Sequence, residues 1–84
     1  MEYIIDCANI RTKEELHRIL AETLHFPAHY GMNLDALYDC LGGISRKTHL
    51  ILQNWAQIAP FAGAFRLVFN DAEDENPNLF ITIQ

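Results

Sequence analysis

Three short β-prone runs, at Tyr3–Ile5, His49–Leu52 and Leu79–Ile83, are separated by stretches that carry helical periodicity. This alternation limits the available folds more than any other feature of the chain. Parallel strands need a crossover of about a dozen or more residues, and both intervals are long enough to hold one. The expected order is therefore strand, helix, helix, strand, helix, strand: an α/β fold with a three-stranded parallel sheet packed by helices. With 84 residues the chain builds one core, so residues 1–84 read as a single domain.

The helix signals are local. Thr12 followed by Glu15 fits a capping box, and Leu16, Ile19, Leu20, Thr23 and Leu24 then recur on one helical face. Phe26-Pro27 is expected to end this helix, leaving Ala28–Met32, with Gly31, as a loop or single turn. Asn33 suits the N-cap of a second helix whose buried stripe is Leu34, Leu37 and Leu41, closed by Gly42-Gly43. His49–Leu52 has the pattern of a strand covered on both faces. Asn54–Pro60 fits a short helix or an irregular crossover equally. Phe61, Ala64, Phe65, Val68, Phe69 and Ala72 trace a last helix that stops before Asn76-Pro77.

Charge narrows the function classes. The net charge is −5, and it is unevenly spread. From Ile19 to Ser45 there is no Lys or Arg, only Glu22, Asp35 and Asp39; after Arg66 there is again none, while Asp71, Glu73, Asp74 and Glu75 crowd together. A phosphate backbone or an anionic membrane calls for the opposite sign, so neither is an expected partner. The opening MEYIIDCANIR is not a signal peptide, and no apolar run has the length of a membrane span. Cys7 and Cys40 form no disulfide framework, which points to a reducing cytoplasmic setting.

Asp35 and Asp39 stand at i and i+4 of the second helix, about 100 to 140° away from Leu34 and so off the leucine stripe, with Tyr38 at the border. Like charges at that spacing oppose the helix by roughly 0.2–0.5 kcal/mol. On residue types alone, ordinary solvated carboxylates are the simpler reading. The acidic group at the end of the last helix opposes the macrodipole; a binding role is weighed evenly with plain surface for Asp71, and surface is favoured for Glu73, Asp74 and Glu75. Enzymatic readings fare worse. Cys40, His29 and Asp35 supply triad residue types, yet Cys40 points about 100° or more from either aspartate. His25 and His29 have zinc-ligand spacing, but Pro27 breaks the helix that spacing needs. Gly42-Gly43 lacks the Lys and Ser/Thr of a phosphate loop. Trp55 reads as a packing residue. No cofactor or metal is expected.

Residues 27–43, PAHYGMNLDALYDCLGG, closely resemble the barstar family of intracellular ribonuclease inhibitors, above all in YGMNLDALYDCL from Tyr30 to Leu41. Agreement extends to Ile10, Arg11, Leu16, His17 and Leu20 upstream, and to Leu50–Leu52, Val68-Phe69 and the ITI near the end. The resemblance implies a monomeric, non-enzymatic inhibitor that plugs a ribonuclease active site, its carboxylates standing in for RNA phosphate. Asp39 matches the family's central anion, Asp35 its neighbour, and Asp71 a position where the family's known member carries glutamate. It also implies partner contacts from His29, Tyr30, Gly31, Asn33, Ala36, Tyr38 and Gly43. His29 stands where a Tyr is found in the family, Tyr38 and Ile44 stand where Trp is found, and the stretch between Gln53 and Phe65 is several residues shorter. The implied partner is a basic ribonuclease, or a ribonuclease-type toxin to which the chain serves as immunity protein. The alternative is an interaction module on the same scaffold without a nuclease target. Charge pairs at this family's own interface are a standard measured case of strong electrostatic hot spots, and their strength comes from those measurements.

Overall fold

The structure is a computed structural model that describes all residues, 1–84. Strand β1 (Glu2–Asp6) runs through a 3-10 turn at Cys7–Asn9 into helix α1 (Lys13–Leu24). Helix α2 (Leu34–Gly42) leads to strand β2 (Thr48–Gln53), a second 3-10 turn at Trp55–Gln57, helix α3 (Ala59–Glu75) and strand β3 (Leu79–Ile83). The uncertain stretch from Asn54 to Pro60 is thus a single 3-10 turn followed at once by α3, which starts before the Phe61 stripe and places Pro60 in its first turn, where no N–H is missed.

The strands are all parallel in the order β1-β2-β3, with Ile4 paired to Ile51 and Leu50 to Ile81. Each crossover moves one strand further in the same direction. Crossovers of the same right hand then place every helix on the same side of the sheet. Burial follows: Ile5, Leu50, Leu52 and Leu79 face the helices and are buried, whereas Ile4 and Phe80 on the other face are 57% and 52% exposed. This corrects the expectation that β2 is covered on both faces. Thr48, Leu50 and Leu52 are buried, but His49, Ile51 and Gln53 are only half-covered.

The core is a cluster of sixteen buried residues, with Leu16 and Leu20 from α1, Leu37 and Leu41 from α2, and Phe65, Phe69 and Ala72 from α3. Full burial of each large apolar side chain contributes roughly 1.5–3 kcal/mol. Trp55 is a packing residue, tilted against Phe69 at a centroid distance of 5.9 Å. The Thr12 hydroxyl caps α1 by accepting from the Glu15 N–H at 3.1 Å, and α1 ends with His25 in the left-handed region, just ahead of Phe26-Pro27.

Candidate functional site

Helix α2 is fixed at both ends by groups outside it. At its N-terminus the Asn33 side chain accepts from the Ala36 N–H at 2.8 Å and donates to the Gly31 carbonyl at 3.1 Å. This double use explains Gly31, where a Cβ would lie 2.9 Å from the Asn33 amide nitrogen. The intervening Met32 adopts φ 54°, a left-handed conformation uncommon for a side chain of its size. At the C-terminus, neither Gly42 nor Gly43 has positive φ. Gly43 nevertheless closes the helix as expected, its N–H donating to the carbonyls of Asp39 at 3.1 Å and Cys40 at 3.3 Å, and a tertiary contact is added: buried Asn76, just beyond α3, donates to the carbonyls of Leu41 at 2.9 Å and Ile44 at 3.0 Å. The Leu41 carbonyl, which also accepts from the Ile44 N–H at 3.3 Å, and the Ile44 carbonyl just past the helix both meet Asn76, which ties the end of α2 to the end of α3.

Behind the loop stands an aromatic strut. His17 of α1 is buried and its Nδ1 lies 2.6 Å from the Tyr30 hydroxyl. Its ring packs on Phe65 at 4.7 Å, and Tyr30 packs on Phe26 at 5.0 Å. Burial pushes the Tyr30 phenol up to about 12, so it keeps its proton in the hydrogen bond it shares with His17. Burial also lowers the His17 pKa, with smaller opposing effects from Glu14, which raises it, and Lys13, which lowers it.

With α2 anchored, its polar face opens beside α3. Asp35, Asp39 and Asp71 line one cavity of about 470 Å³, together with Leu34, Tyr38 and Val68. All three aspartates are exposed, make no side-chain hydrogen bond and have no Lys or Arg within salt-bridge distance; the one carboxylate with a basic side chain that close is Glu2, 3.5 Å from His49 on the sheet. Tyr38 is 37% exposed at the rim of the same cavity. Across α2 a larger cleft of about 720 Å³ shares Asp39, with Leu24, Phe26 and Ile44 among its apolar lining and Gly43 and Arg46 beside them.

The other residues singled out in the sequence are placed as follows. His29 is exposed on the turn that the Tyr30 N–H closes by donating to the Pro27 carbonyl at 2.9 Å. Tyr30 is half-buried with its hydroxyl engaged by His17, and Ala36 is half-buried with its N–H engaged by Asn33. Burial, helped by Asp39, raises the Cys40 thiol pKa, which leaves little thiolate for nucleophilic chemistry. Glu73 departs from its reading as plain surface. It is half-buried, and Oε2 accepts from the Ile81 N–H at 2.7 Å. Sequence reasoning missed the supporting roles of Asn76, His17 and Glu73 because each acts on a residue distant in the chain. Asn76, next to a helix-ending Pro, carried only a turn signal.

Two helices of a small α/β scaffold thus contribute unpaired carboxylates to one open groove. The comparisons with known proteins are specific. The chain belongs to the Barstar family, described as Barstar (barnase inhibitor), whose sequence profile matches residues 1–83. It is 41% identical over 63 residues to a protein of Bacillus subtilis (strain 168) named "Putative ribonuclease inhibitor YrdF", covering 74% of this chain and 69% of that one. The resemblance seen around YGMNLDALYDCL therefore holds over nearly the whole length.

Proposed function

We infer that this chain is a protein inhibitor of a barnase-type ribonuclease, acting by covering the active site of the enzyme with the acidic groove between α2 and α3. The observation that carries the reading is the convergence of Asp35, Asp39 and Asp71 on one open cavity without any cationic partner within the chain. An enzyme that cleaves RNA must present cations to the phosphates on either side of the scissile bond. Carboxylates held on a rigid helix face meet those cations and occupy the path of the RNA. The exposed Tyr38 ring at the rim supplies amphipathic contact area of the kind enriched at binding centres. Asn33, Gly31 and Ala36 keep the N-terminal turn of α2 in place behind the carboxylates, and His29 extends the surface along the preceding turn.

The test is an RNA-cleavage assay with barnase as the probe. The chain at molar excess is expected to suppress cleavage, and Asp39→Asn, which keeps the shape and removes the charge, is expected to lose most of that suppression. Undiminished cleavage by barnase in the presence of the unaltered chain would overturn the inhibitor reading. Full potency in the Asn variant would overturn phosphate mimicry.

A further inference from the structure

The two outer strands of the sheet meet solvent in different ways. In β1, alternate residues bond to β2, as when the His49 N–H donates to the Met1 carbonyl at 2.8 Å. The backbone groups of Glu2, Ile4 and Asp6 therefore face outward. A second copy adding antiparallel through Ile4 would set Glu2 against Asp6, and like charges directly opposite destabilise a strand pair. β3 has no such protection in its own sequence. Leu79, Phe80, Ile81, Thr82 and Ile83 include no charge and no proline, and nearly all favour the extended conformation. Asn78 accepts from the Thr48 N–H at 2.7 Å and Gln84 donates to the Leu52 carbonyl at 2.8 Å, so the outward backbone groups of β3 are those of Leu79, Ile81 and Ile83. The Leu79 N–H turns back to the Asn76 carbonyl at 3.1 Å. The Ile81 N–H, in the middle of the edge, is taken by Glu73 at 2.7 Å.

We propose that β3 is a latent self-association edge and that Glu73 closes it. A two-fold antiparallel pairing of β3 strands centred on Ile81 requires each Ile81 N–H to donate to the Ile81 carbonyl of the other copy. While Glu73 holds that N–H, the reciprocal pair does not form, and the carboxylate lies in the path of the incoming strand. Without it the central donor is free on an uncharged, β-prone rim, which is the kind of edge that pairs with another chain. The occupant is a second copy because the edge is self-complementary and carries no charge to select a different strand. Pairing would set Phe80 of one copy opposite Thr82 of the other and join the two open apolar faces of Ile4, Ile51 and Phe80. This role stands apart from the acidic groove and does not depend on the identity of the partner.

Two measurements test it. In hydrogen exchange on the unaltered chain, the Ile81 amide is expected to exchange at least tenfold more slowly than the Ile83 amide, which also faces outward and donates to nothing. Equal rates would overturn the proposal. In sedimentation, the unaltered chain and Glu73→Gln, which retains an acceptor oxygen, are expected to be monomers, and Glu73→Ala a concentration-dependent dimer. A Glu73→Ala variant that melts cooperatively yet stays monomeric would overturn it, as would an unaltered chain that is already dimeric. Should the Ala variant fail to fold, the exchange rates decide.

Discussion

Asp39 lies near the C-terminal end of α2, where a negative charge works against the helix dipole, and nothing in the chain compensates it. A desolvated charge pair in a complex reverses that balance, since truncating one member leaves the other buried and unpaired at a cost of about 2–5 kcal/mol. Asp39→Ala is therefore expected to weaken inhibition of barnase by at least about 30-fold, at 1.4 kcal/mol for each tenfold change. Glu22→Ala and Glu75→Ala, on open surface outside the groove, should stay close to the unaltered chain in the same assay. Asn76 has the opposite profile. Asn76→Ala removes two side-chain hydrogen bonds, to the carbonyls of Leu41 and Ile44, so urea titration should show a loss of about 1–3 kcal/mol, with inhibition falling only as the fold weakens. His17 gives the pH dependence. Its folded pKa lies below the usual 6.5, so the unfolded chain binds more protons in the interval between the two values. Stability contributed by His17 is complete above 6.5 and is lost as pH falls through 6.5 toward the folded value. Unfolding free energies measured across that interval should fall with acidification in the unaltered chain and show a flatter profile in His17→Leu.

At the scale of elements, α2 is short, and a helix of three turns or fewer is marginal by itself in water. Its stability comes from the Leu37 and Leu41 contacts, from the local Asn33 cap at its start and from the Asn76 contact at its end. The carboxylate face contributes nothing to these. Thermal melts should accordingly show Asp39→Ala at or slightly above the unaltered chain, because the substitution removes an i,i+4 repulsion worth a few tenths of a kcal/mol. Gly31→Ala should lower stability by about 1 kcal/mol, because the new Cβ displaces the Asn33 side chain that caps the helix. Helix periodicity, the Thr12 and Asn33 caps and the three strand runs were all legible in the sequence, because each depends on residues a few positions apart. The glycine closure of α2 was legible too, since the Gly43 N–H reaches Asp39 and Cys40 within the same turn. The bonds from Asn76 to Leu41 and Ile44 were not, because Asn76 arrives only after β2 and α3 have folded back.

For the whole molecule, charge is the dominant long-range feature. On the proposed function, a chain of net charge −5 with three unpaired aspartates lining one groove attracts a basic enzyme before contact. Stopped-flow association with barnase should be fast at low ionic strength and slow steeply as salt shortens the Debye length from about 30 Å at 0.01 M to about 8 Å at 0.15 M. Rates that stay flat across that range would remove steering from the mechanism.

What the sequence determined by itself is the set of elements, their order, the parallel sense of the sheet and the residues of the acidic face on α2. All follow from periodicity, caps and spacing, which are properties of neighbouring positions. Tertiary structure alone decided that every helix lies on one side of the sheet, because that outcome depends on the direction of successive crossovers. It alone brought Asp71 of α3 to the cavity shared by Asp35 and Asp39, since the packing angle and register between two helices are set by side chains far apart in the chain. And it alone turned Glu73 from one member of an acidic run into the acceptor of the Ile81 N–H, because a strand edge exists only once the sheet has formed.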